Sequence, residues 1–156
     1  MTENAQPTIV GLGEVLWDLL PGGRQFGGAP ANFAYHAAVQ GAQAKVVSSV
    51  GRDELGEEIL HRIDAMGLSR KTVAIDDTHP TGTVSVQLDS QGKPEYIIHT
   101  DVAWDFIPQT PEILSLAERT DAVCFGSLAQ RSPVSRATIR AFLAATPPKC
   151  LRIFDI

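Results

Sequence analysis

The sequence predicts an α/β fold, a parallel sheet flanked by helices with a second, small sheet added to it. Two observations carry that prediction. Short β-branched apolar runs alternate with helical stripes at both ends of the chain, and such alternation builds a parallel sheet covered on both faces. Between residues 72 and 99 the alternation stops and three extended runs follow one another without a helix. That block reads as a separate small sheet.

Each element follows from a local signal. Residues 8–15 start after Pro7, are rich in Ile, Val and Leu, and read as one strand. Pro21-Gly22-Gly23 marks a turn and 24–26 a short extended piece. Gly27-Gly28-Ala29-Pro30 opens a helix that runs to Gln40 and stops at Gly41, with Pro near its start and Gly past its end. Its alanines, Ala31, Ala34, Ala37 and Ala38, make it narrow enough to pack closely. Residues 45–50 form the next strand. Residues 53–66 form a helix whose stripe is Leu55, Ile59, Ile63 and Met66, with Gly67 as its stop.

The small-sheet block comprises 72–75, 82–88 and 94–99, the last two joined by a hairpin turn at Asp89-Ser90-Gln91-Gly92. After a loop over 101–108, Thr110-Pro111-Glu112 starts a helix to about Glu118. Residues 122–125 are a short buried strand. Ser132-Pro133 starts a helix to about Ala145, and 150–156 begin a further strand with an exposed apolar edge. That edge predicts that the isolated chain aggregates or dimerises.

Composition narrows the function classes. The 156 residues are 44% hydrophobic and 20% charged, ordinary globular usage that argues against disorder. A net charge of −5 argues against a nucleic-acid or anionic-membrane partner. Glu3 stands where a signal peptide carries positive charge, and Glu14 and Asp18 interrupt the first apolar run, so a cytoplasmic location is expected. Cys124 and Cys150 each lie in apolar surroundings and read as buried thiols, with a catalytic thiol as the lesser reading. The four histidines are scattered and no metal site is expected.

Three stretches could carry chemistry. Gly11-Leu12-Gly13 suggests a dinucleotide loop, but Leu16 stands where the third glycine belongs and the chain continues extended. Asp18, just past the first strand, is either a turn-former or a ligand group whose natural partners are hydroxyls or amines. Gly27-Gly28-Ala29-Pro30-Ala31-Asn32 places two glycines at a helix N-terminus, where backbone approaches a ligand closely and free N–H groups favour electron-rich atoms. The same stretch is also compatible with a plain loop-to-helix junction.

The last stretch belongs to a longer pattern. Residues 27–34 read GGAPANFA, Gly41 follows after six residues and Gly51 after nine more. This resembles the first signature of the ribokinase-like (PfkB) sugar kinases, and the surrounding GEVLWDLLP, VGRDELG, TGTVSVQLD, DVAWDFIP and CFGSLAQR are most similar to fructokinases. The resemblance covers essentially the whole chain. It implies a three-layer ribokinase-like fold with a β-lid at about 72–99, and transfer of the ATP γ-phosphoryl to a sugar hydroxyl with Mg2+. It implies Asp18 as acceptor of sugar hydroxyls, Gly27 and Gly28 as backbone against the sugar, Asn32 as a hydrogen-bonding partner, and Ala103 and Trp104 as a loop near it. It also implies a homodimer through the lid. The family's Gly-Ala-Gly-Asp stretch, which supplies the general base, and its Asn-x-x-Glu element do not occur in the 156 residues. The expectation is therefore a sugar-binding N-terminal half that does not phosphorylate alone. The alternative is a non-catalytic sugar-binding or dimerisation fragment.

Overall fold

The structure is a computed structural model that describes residues 6–88, 91 and 93–156. Five parallel strands form the main sheet in the order β5-β4-β1-β8-β9: β1 Thr8–Leu12, β4 Gln43–Gly51, β5 Val73–Asp76, β8 Ala122–Gly126 and β9 Leu151–Asp155. Helices α1 (Ala29–Val39) and α2 (Glu54–Ala65) cover one face, and α3 (Pro111–Ala117) and α4 (Pro133–Ala145) the other. Alternation along β4 shows the two-sided burial directly. Val46 and Val50 pack with Ala31, Ala34, Ile59 and Ile63, whereas Val47 packs with Val123, Ile139 and Phe142.

The helix boundaries follow their caps. Asp53 caps α2 and accepts from the Gly56 N–H at 2.8 Å, and the expected stripe holds, with Ile59 and Ile63 fully buried. Thr110 and Ser132 cap α3 and α4, each followed by Pro. α1 lies close on β1, because Gly11 has no Cβ where the Pro30 carbonyl oxygen sits.

A second sheet, ordered β3-β2-β6-β7, stands apart from the first: β2 Leu16–Leu20, β3 Gly23–Gly27, β6 Thr83–Leu88 and β7 Pro94–Ile98. Its composition corrects two expectations. The strand predicted over 8–15 ends at Leu12, and the chain turns at Gly13 and leaves for the second sheet at Leu16. Gly13 and Glu14 interrupt the run there, but they do not say which sheet the residues after them join. The run at 72–75 belongs to the main sheet, because β5 pairs in parallel with β4 from Ser48↔Val73 to Gly51↔Asp76. Of the block at 72–99, β6 and β7 lie in the small sheet, which also holds the β2–β3 hairpin.

The loop expected over 101–108 holds a 3-10 turn, Ala103–Phe106. The predicted turn at Asp89-Ser90-Gln91-Gly92 lies largely outside the described residues, but its flanking strands pair antiparallel from Val84↔Ile98 to Leu88↔Pro94. β9 closes one edge of the main sheet with all five residues exposed, Leu151 at 60% and Phe154 at 51%.

Candidate functional site

The carboxyl ends of parallel strands are where open α/β sheets bind ligands. Here the chain leaves β1, forms the β2–β3 hairpin and returns to start α1, so the hairpin brings Asp18 and the glycine pair together. Asp18 pairs with Gln25 across the hairpin, and Leu16 with Gly27. The Cβ that Gly27 lacks would lie 2.6 Å from Asp18 Oδ2, so any side chain there would displace the carboxylate. Gly28 has φ 109°, and its missing Cβ would meet the Glu14 carbonyl oxygen at 2.4 Å. Only glycine suits both the backbone region and the space. Gly28 caps α1 with no side-chain hydrogen bond, and its carbonyl accepts from the Asn32 N–H at 3.0 Å. Asn32 is exposed one turn into α1. Thus Asp18 lies against Gly27, Gly28 follows and Asn32 stands one turn into α1, and burial pushes up the pKa of the half-buried Asp18 carboxylate.

Two further residues shape this region. Trp17 is fully buried and donates from Nε1 to the Leu55 carbonyl of α2 at 3.0 Å, which fastens the hairpin to the body. Glu14 is 4% exposed, and its Oε2 is buried without a hydrogen-bond partner. Burial raises its pKa, against hydrogen bonds from its own N–H and that of Ala29; Asp155 raises it further and Arg131 lowers it. Sequence reasoning passed over Glu14 as a site residue. Its signal was an acid inside an apolar run, which is costly to bury unless something uses it.

Ala103 and Trp104 lie in the 3-10 turn Ala103–Phe106. Both are fully buried, and Trp104 packs with Val47 and Val102 and fills the space left by Gly82. Ala103 N–H donates to the Pro80 carbonyl at 2.8 Å. These two residues prop the segment leading into β6.

The VGRDELG stretch is structural. Asp53 accepts from Thr81 N–H at 2.8 Å and Thr81 Oγ at 2.6 Å as well as from Gly56, and the Thr81 hydroxyl oxygen accepts from Gly51 N–H at 2.9 Å. Burial works to raise the Asp53 pKa, but these hydrogen bonds outweigh it and the pKa is lowered. Both cysteines are free and buried, with pKa values raised by burial. His79 stacks on Phe106 at 3.6 Å and pairs with Asp76.

A family model for the pfkB family carbohydrate kinases matches residues 22–148. The chain belongs to the pfkB family. It is 28% identical over 159 aligned residues to a sugar kinase of Pyrococcus horikoshii, covering 95% of this chain and 51% of that protein. It is 31% identical to a fructokinase of Klebsiella pneumoniae, over 86% of this chain and 45% of the relative. The crystal structure of the Pyrococcus horikoshii sugar kinase superposes with TM-score 0.84 at 26% identity, over 96% of this chain and 52% of that one. A Vibrio cholerae fructokinase solved with fructose, ADP and calcium shares the fold with TM-score 0.73 at 20% identity, over 97% of this chain and 50% of that one. The chain thus spans about half the length of the curated relatives it matches.

Among the described residues no three of His, Cys, Asp and Glu gather as metal ligands, and the guanidinium of Arg131 is already engaged by Asp105. No step through ATP or a metal ion is assigned to these residues.

Proposed function

We infer that this chain forms the sugar-binding side of an ATP-dependent sugar kinase of fructokinase type, acting in the cytoplasm. The observation that supports this reading is the corner where Asp18 lies against Gly27, one peptide before the glycine that starts α1. An ionised carboxylate accepts from hydroxyls, whereas Asn32 and the first N–H groups of α1 donate to sugar oxygens. Hydrogen bonds to a charged group are each worth about 1.5–3 kcal/mol, enough to order a small polyol. The four-stranded sheet that carries Asp18 serves as the lid, excluding water from the hydroxyl that receives the phosphoryl group. Fructose is the first substrate, with ribose and 2-keto-3-deoxygluconate behind it.

The 156 residues alone hold the sugar and do not phosphorylate it. Incubation of this polypeptide with ATP, Mg2+ and fructose or ribose tests that division. No sugar phosphate is expected. Turnover comparable to a full-length family member would overturn it.

One observation favours a second role, a homodimer through the lid. Tyr96 is 62% exposed, and Leu20 and Ile98 are exposed on the same face of the small sheet, with Leu19 and Ile97 exposed on the other, apolar area of the kind that marks contact surfaces. Sedimentation of the chain with Tyr96→Lys and Ile98→Lys should shift a dimer to monomer. An unchanged sedimentation coefficient would refute lid pairing.

A further inference from the structure

Arg131 follows β8 at the end of the 3-10 turn Leu128–Gln130. Its guanidinium is held on three sides. Nε and Nη2 donate to the two carboxylate oxygens of Asp105, each at 2.8 Å. Nη2 also donates to the carbonyl of His99 at 2.6 Å, and the group lies over the Trp104 ring, 4.0 Å from its centroid. Asp105 and Trp104 belong to the body of the molecule. His99 does not, because it is the first residue after β7 of the small sheet.

That carbonyl lies at the end of a row that begins in the sugar corner. Asp18 stands opposite Val84 across β2 and β6, and Val84 stands opposite Ile98 across β6 and β7. His99 is next in the chain, and its N–H donates to the Thr83 carbonyl at 3.2 Å. The small sheet is therefore tied to the body near Asp18 by Trp17 on Leu55, and at the far end of the row by Arg131 on His99.

We propose that Arg131 is a positioning residue for Asp18. By holding the His99 carbonyl against the buried Asp105 carboxylate, it sets the small sheet, and with it the Asp18 carboxylate, relative to the start of α1. The functional half of this rests on Asp18 as a sugar ligand; the mechanical half is readable without sugar. Arginine is needed because its planar fork makes all three hydrogen bonds at once. A lysine ammonium keeps the charge of Asp105 paired and loses the geometry that also reaches His99.

Arg131→Lys in the full chain is the test, read first by amide exchange without sugar and then by fructose titration. Exchange of the Ile97 and His99 amides, which point at β6, should rise about tenfold, the weight of one charge-assisted hydrogen bond, while amides of β1 and β8 keep their rates. Fructose affinity should fall by a similar factor. Unchanged lid exchange would overturn the proposal, as would an equal rise in lid and core, which marks general loss of stability. A loosened lid with unchanged fructose affinity would overturn the positioning role. No fructose binding by the wild-type chain would remove the sugar reading and the positioning role with it, while exchange still decides the tie itself. Should Arg131→Lys not fold, the neutral pair Arg131→Gln with Asp105→Asn is read in the same way.

Discussion

Two strand-to-helix passages lie on the same side of the main sheet, and they treat their carboxyl groups in opposite ways. Between β4 and α2, Asp53 accepts from Gly56 N–H, Thr81 N–H and Thr81 Oγ, and its pKa is held down. Between β1 and α1, Glu14 keeps a buried oxygen without a partner and Asp18 is half-buried, and burial pushes both pKa values up. A saturated carboxylate is a joint. It fixes where the chain crosses from β5 toward β6, and it has little capacity left for a ligand. Unsaturated carboxyls beside a glycine pair are what a polyol-binding corner requires. Both passages carry glycine, acid and helix start in the sequence, so hydrogen-bond saturation tells them apart where residue type does not.

The largest expected effect breaks the joint. Asp53→Ala removes the α2 cap and leaves the Thr81 and Gly56 N–H groups without their acceptor, a loss of about 3 kcal/mol. Urea unfolding at pH 7 checks it. Because the folded pKa of Asp53 lies below its ordinary value of 3.8, its stabilisation is present above that value and fades as pH falls through the lowered one. The deficit of the variant should shrink in acid.

Next in size is the corner itself. Asp18→Ala should weaken fructose binding by at least about tenfold, the weight of one hydrogen bond to a charged group, and leave the unfolding midpoint nearly unchanged. Isothermal titration together with a thermal melt reads both.

The smallest effect has the opposite pH sign. Glu14 has a folded pKa above its ordinary value of 4.5, so it removes stability as pH rises from that value through the raised one. Glu14→Gln mimics the protonated form. It should be neutral to slightly stabilising at pH 7, within about 1 kcal/mol, and the difference should vanish below the ordinary carboxylate range. Melting curves across pH 3–8 decide it. A destabilised variant at pH 7 would show that Glu14 works as a charged anchor.

Much of this architecture was legible in the residues. The spacing of Leu55, Ile59 and Ile63 places α2, and Thr110 and Ser132 before prolines place α3 and α4, because caps and stripes are local signals. Gly27, Gly28, Asp18 and Asn32 were legible as a candidate site for the same reason, since the hairpin that joins them is short. What could not be read were sheet memberships. The departure of Leu16 to the small sheet and the pairing of Val73 with Ser48 depend on partners distant in sequence, which a local run does not specify. The burial of Trp104 beside Gly82 was not legible either, because the two residues meet only through the fold. Arg131 stands in the CFGSLAQR stretch, but its contacts were not legible, because its three partners are 26 to 32 residues away in sequence.

The contrast between the two passages is tested most directly by one paired experiment. Fructose is titrated calorimetrically into the wild-type chain, Asp18→Ala and Asp53→Ala below their unfolding midpoints, and each is then melted. The expected result is a crossed pattern: Asp18→Ala loses the heat of binding and keeps the midpoint, while Asp53→Ala keeps the heat and loses several degrees. Equal fructose binding by the wild-type chain and Asp18→Ala, or no binding by either, would contradict the assignment of the sugar to the Asp18 corner.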